Sequence, residues 1–125
     1  MAQTPGDWFY RSGGGTTRAL FGTSGSDARF AITCLQSQRR VTLARAGATS
    51  APTQIIIRTE SLTRAVAAMP DSGDLPSLVA TLGANDSLLD AIAFSKGRFA
   101  VEAPGQATLY LPSWPEITRV IEDCR

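Results

Sequence analysis

The stretch "RFAITCLQSQRRVTLARAG", Arg29 to Gly47, decides the reading of the fold. Phe30, Ile32 and Cys34 alternate with Arg29, Ala31 and Thr33, the period-two spacing of a half-buried strand. Val41 and Leu43 repeat the pattern, with Arg40 and Thr42 facing the other way. The link through Ser37 and Gln38 is short, so the two strands read as a hairpin.

The same spacing continues on both sides. Upstream, "WFYR" (Trp8–Arg11) is a short aromatic strand, "SGGGTT" a turn, "RALFG" a second strand and "TSGSD" the loop that closes it. Downstream, "TQIIIRTE" is the strongest β-branched run. "SLTRAVAAMP" fits either a helical stripe or a strand. It is read as a strand because it follows a β-run through a short link, and Pro70 is expected to end it. "PDSGDLPS" is a loop, with Asp71 to Asp74 as a solvated turn, and "LVATLG" is another strand. In "NDSLLDAIAFSKG" the period changes: Asp86 can cap a short helix, Leu88, Leu89 and Ile92 share a face, and Gly97 suits its C-terminal cap. "RFAVEAPGQATLYLP" reads as a second hairpin around Pro104–Gly105.

The final segment "SWPEITRVIEDCR" (Ser113–Arg125) is the clearest helix. Ser113 and Glu116 match a capping box, and Pro115 falls in the first turn, where a missing N–H costs nothing. Ile117, Val120, Ile121 and Cys124 then share one apolar face. The expected architecture is mainly β (α+β). It is an antiparallel β-sandwich or barrel-like sheet with one short helix and a C-terminal helix docked on it, in a single domain over 8–125 after a flexible leader over 1–7.

Cys34 sits at an inward strand position and Cys124 on the buried face of a helix whose last turn would otherwise fray. They are the only cysteines, so the reading is one disulfide, Cys34–Cys124, pinning the tail to the sheet. Such a bond belongs to an oxidising compartment, periplasmic or secreted. "AQTPG" after Met1 reads as the leader left once a signal peptide is removed.

Composition narrows the chemistry. With 12 basic and 11 acidic residues and no basic stripe, nucleic acid is not an expected partner. No apolar run approaches the ~18 residues of a membrane span. The chain has no histidine, which removes Ser–His and Cys–His pairs and histidine-ligated metals. No cofactor or metal site is therefore expected. "GTSGSD" fails the nucleophile-elbow pattern at Ser26, and "SGGGTTR" lacks both a following helix and a P-loop lysine. "PDSGD" contains the Asp-Ser-Gly of aspartic proteases, but Pro70 stands where an apolar residue should lead in. The paired carboxylates Asp86 with Asp90 and Glu122 with Asp123 lie on helices, with Asp86 used as a cap. "FSKGRF" gathers Ser95, Lys96 (the only lysine) and Arg98 where a helix enters a strand. The cluster reads as a helix end carrying basic residues, or as a Ser–Lys dyad. Trp8, Phe9, Tyr10 and Trp114 are core or staple residues, or else line a ligand surface. The weak surface-site candidates are Ser95, Lys96, Arg98 and Trp114.

"DSLLDAIAFSKGRFAVEAPG" (Asp86–Gly105) and "LYLPSWPEITRVIEDCR" (Leu109–Arg125) resemble the C-terminal part of small exported proteins of unknown function from alphaproteobacteria, sphingomonads especially. The resemblance implies export and supplies no activity or site residues. The expectation is a non-catalytic cell-envelope module that binds another envelope protein or a small ligand. The alternatives are a periplasmic enzyme inhibitor, or a hydrolase with a Ser–Lys or paired-carboxylate site.

Overall fold

The computed structural model describes residues 2–71, 73 and 75–125. Strands β1 (Asp7–Gly13) and β2 (Thr16–Gly22) form the first hairpin. Its turn residues Gly14 and Gly15 lie at φ 61° and 79°, the left-handed values a two-residue hairpin loop demands. β3 (Phe30–Leu35) and β4 (Arg40–Ala46) follow, joined by one 3₁₀ turn, Gln36–Gln38. Phe30, Ile32, Cys34, Val41 and Leu43 are all buried, as their alternation predicts. β5 (Thr53–Arg58), β6 (Thr63–Asp71) and β7 (Ser77–Gly83) precede α1 (Ser87–Ala93). β8 (Arg98–Glu102), β9 (Leu109–Pro112) and α2 (Pro115–Asp123) complete the chain.

The strands form one sheet in the order β1-β2-β3-β4-β7-β6-β5-β8-β9, each pair antiparallel. β6 is the fold line. Its residues Thr63–Ala68 pair with β5, and Met69, Pro70 and Asp71 pair with β7. The segment 61–69 is therefore strand from Thr63 onward. Pro70 does not end the strand as expected but lies within it, opposite Leu78. By that point β5 has ended, so no neighbouring strand on that side misses the proline N–H.

Folding at β6 brings the two halves of the sheet face to face. Phe30 of β3 meets Phe99 of β8 edge-to-face at 6.4 Å, and Trp8 stacks edge-on against Phe21 at 5.2 Å. At the rim β1 and β9 share no ladder; Trp8 Nε1 donates to the Pro112 carbonyl at 2.7 Å. Within the stretch read as a leader, Thr4 is buried and exchanges two hydrogen bonds with Tyr110, each 2.9 Å. The sandwich or barrel-like antiparallel sheet, with its short helix and docked C-terminal helix, is thus the observed architecture.

α2 packs on β1, β2 and β3 and against α1, burying Ile117, Val120 and Ile121. Cys34 and Cys124 are disulfide-bonded with Cα atoms 5.6 Å apart, so the final turn lies over β3. Two cap expectations are corrected. The N-cap of α2 is Trp114, with no side-chain cap bond, because the Ser113 hydroxyl donates to the Ile92 carbonyl at 2.9 Å instead. α1 ends with Phe94 as its C-cap, and Gly97 serves the following turn at φ 78°. Of the Asp71–Asp74 stretch read as a turn, positions 72 and 74 lie outside the described residues; Asp71 ends β6 and accepts a bond from the Gly73 N–H at 3.2 Å.

Candidate functional site

The residues singled out around "FSKGRF" meet at one end of the sandwich, where α1 returns to the sheet through β8. Asp86 starts α1 by accepting the Leu88 N–H at 2.9 Å, and Arg64 grips its carboxylate with two bonds of 2.6 Å each. The Arg64 guanidinium holds the Asp86 carboxyl below the usual aspartate range. Leu88, Leu89 and Ile92 turn inward, which sets the phase of the helix and leaves Phe94 pointing out. Phe94 is 74% exposed, against 36% for Trp114.

The backbone beneath Phe94 is fixed. Ser95 is 6% exposed; its Oγ donates to the Arg98 carbonyl at 2.9 Å and accepts the Glu60 N–H at 3.0 Å. Ser113 ties the far side, donating its N–H to the Gly97 carbonyl at 3.1 Å and its hydroxyl to Ile92. The segments carrying Phe94 and Trp114 are therefore bound to each other by main-chain and hydroxyl hydrogen bonds. Lys96 and Arg98, two and four residues beyond Phe94 along the chain, are exposed.

The chemistry open to this cluster follows from those bonds. A nucleophilic serine needs an open approach and a base to take its proton. The Ser95 proton goes to a backbone carbonyl and its oxygen to a backbone N–H, and neither bond involves Lys96. The carboxylates are engaged separately. Asp86 is held by Arg64, Asp90 accepts from Arg125 at 2.8 Å, and Asp123 accepts from the Tyr10 hydroxyl at 2.6 Å, while Glu122 is exposed. None of these contacts joins two acids. Among the described residues no group of three or more acidic or cysteine side chains is placed to hold a metal ion.

The aromatics read together at the N-terminus separate. Trp8 is core, Tyr10 faces α2 with the Arg119 guanidinium 3.8 Å over its ring, and Phe9 lies on the outer face beside Arg11. The site residue missed from sequence is Phe94. Its signal was available, since it falls off the Leu88–Leu89–Ile92 face while the helix is still unfinished. Comparison with family models, with curated proteins and with solved structures found no match.

Proposed function

We propose that this chain is a non-catalytic module of the cell envelope that binds another protein through the Phe94 tip, with Trp114, Lys96 and Arg98 around it. The observation that carries the reading is a large aromatic ring, 74% exposed, on a loop held from below by Ser95 and Ser113. Large anchors that fill a partner's pocket carry most of the binding energy at an interface, and a pre-ordered backbone lowers the entropy lost on binding. A periplasmic or secreted location is supported by the Cys34–Cys124 bond, which an oxidising compartment preserves. The resemblance of the last third to exported alphaproteobacterial proteins supports the same location. No helix among the described residues is long and apolar enough to cross a membrane.

The same projecting ring favours one further version of this reading, an inhibitor that inserts Phe94 into the cleft of an envelope enzyme. The test is affinity capture from a periplasmic extract with the wild type and with Phe94→Ala in parallel. Binding is then reconstituted with the purified candidate. A partner whose affinity falls at least about thirty-fold with Phe94→Ala, at unchanged melting temperature, supports the reading. A partner indifferent to Phe94 and Trp114 refutes it, as does substrate turnover abolished by Ser95→Ala.

A further inference from the structure

We propose that the outer face of β1 to β4 and β7 binds a single-chain anionic amphiphile, its headgroup on Arg11 and Arg18 and its acyl chain laid across the strands over Leu20, Ala31 and Ala44. The strand register creates the surface. Phe9 pairs with Leu20, Leu20 with Ala31, Ala31 with Ala44, Ala44 with Val79 and Val79 with Met69. All six point outward and none is buried, with Met69 58% exposed. An outward sheet face is ordinarily polar, so an unbroken, partly exposed apolar row across six strands is a surface suited to an apolar ligand.

The row has relief. Its middle positions are alanines, with Leu20 and Phe9 at one end and Val79 at the other. A depression of about 160 Å³ is lined by Leu20, Ala28, Ala31, Ala44, Ala46 and Leu75 among others. A second, about 170 Å³, is bounded by Phe9, Arg11 and the 22–26 loop and shares Leu20 and Ala28 with the first. The two therefore abut as one trough.

Charge marks one end of it. Arg11 and Arg18 stand directly opposite each other in the next outward row, a like-charge pairing that costs stability. Among the described residues neither meets a carboxylate, whereas Arg58, Arg64 and Arg125 each do. Arg11 leans on the Phe9 ring and on the Tyr10 carbonyl, and Arg18 has no partner among the described residues. A cleft of about 170 Å³ lined by Arg11, Ser12, Gly13, Thr16 and Arg18 lies between them, roomy enough for a carboxylate or phosphate. An anion there would pair with both guanidinium groups and offset their mutual repulsion.

An acyl chain fits the trough better than a peptide does. β2, β3, β4 and β7 are each hydrogen-bonded on both sides, so the trough offers a peptide backbone no partners. A hydrocarbon chain needs none. Leu20 to Val79 spans three strand spacings, ~14 Å, the length of an extended dodecyl chain.

The test uses the full oxidised chain and dodecyl phosphate below its micelle concentration, followed by calorimetry and by amide chemical shifts. Saturable binding is expected, with shifts at Leu20, Ala31 and Ala44 and an affinity rising about two-fold per added methylene on a half-covered chain. Arg18→Glu and Ala44→Glu should each weaken binding at least ten-fold at unchanged melting temperature; Arg18→Gln and Ala31→Gln serve if either fails to fold. Inorganic phosphate should not displace the amphiphile at equal concentration. The proposal is overturned by absent binding, by binding that survives both substitutions, by an acidic peptide binding more tightly at the same residues, or by association with anionic vesicles but not with the monomeric amphiphile.

Discussion

At the scale of single residues, Asp86 joins two tasks. It caps α1 through Leu88 and anchors Arg64 of β6, so one carboxylate fixes both the helix start and its place on the sheet. Its pKa is lowered in the folded protein, chiefly by the hydrogen bonds from Arg64. A depressed carboxylate contributes stability that is fully present above its unfolded value near pH ~3.9 and is lost as pH falls through the folded value. Asp86→Ala should therefore cost about 1–2 kcal/mol near neutral pH in urea unfolding. The deficit should shrink below the folded pKa. A deficit that persists unchanged at the lowest pH would show that the charge is not what Asp86 contributes. Gly6 is the other telling residue. At φ 138° its missing Cβ would lie 2.8 Å from the Gly22 backbone carbon. Gly6→Ala is expected to lower stability by roughly 1–3 kcal/mol, combining backbone strain with that clash. An unchanged unfolding midpoint would mean that 2–6 does not pack as described.

At the scale of elements, α2 is held by more than its disulfide. Ile117, Val120 and Ile121 are buried against the sheet, and Tyr10 of β1 hydrogen-bonds Asp123 from below. Arg125 binds the Ala84 carbonyl at 2.8 Å as well as Asp90, and its own carbonyl accepts from Arg39 at 3.0 Å. The tail is thus tied on both sides of Cys124. Reduction of the Cys34–Cys124 bond, which closes a separation of 90 residues, removes at most ~4–5 kcal/mol of loop entropy. The reduced protein should melt at a lower temperature yet keep its far-ultraviolet spectrum. Denatured protein that has never been reduced should show no thiol, and two after reduction. Ile121→Asp, by contrast, places an uncompensated charge in the core and should cost several kcal/mol. A variant as stable as the wild type would remove α2 from the core.

At the scale of the whole molecule, the fold depends on closing the sheet upon itself. β6 makes the turn, while Thr4 and Trp8 seal β1 to β9. Arg45 bridges the halves from inside: it is 5% exposed and donates to the Ala46 carbonyl and, at 2.7 Å, to that of Ala107. Burial first, then the nearby Arg29 charge, lowers its pKa. A buried cation without a carboxylate keeps most of its desolvation penalty. Arg45→Met should therefore melt no lower than the wild type. A clear fall would show that the link to Ala107 outweighs that penalty.

The alternation in Arg29–Gly47, the cysteine at an inward position and the apolar face of the last helix determined the strands, the disulfide and the docked tail. Each depends on a period that neighbours along the chain carry. Caps and strand ends were less legible, because the competition is decided elsewhere: Ser113 gives up its capping role to the Ile92 carbonyl, and Pro70 is tolerated only because β5 has already ended. The sites were the least legible. Ser95, read as part of a helix end or of a Ser–Lys dyad, is a brace between Glu60 and Arg98. The row from Phe9 to Met69 joins residues on six strands that lie between positions 9 and 79. Only tertiary structure determines such a surface, because strand register sets which side chains become neighbours and sequence separation does not.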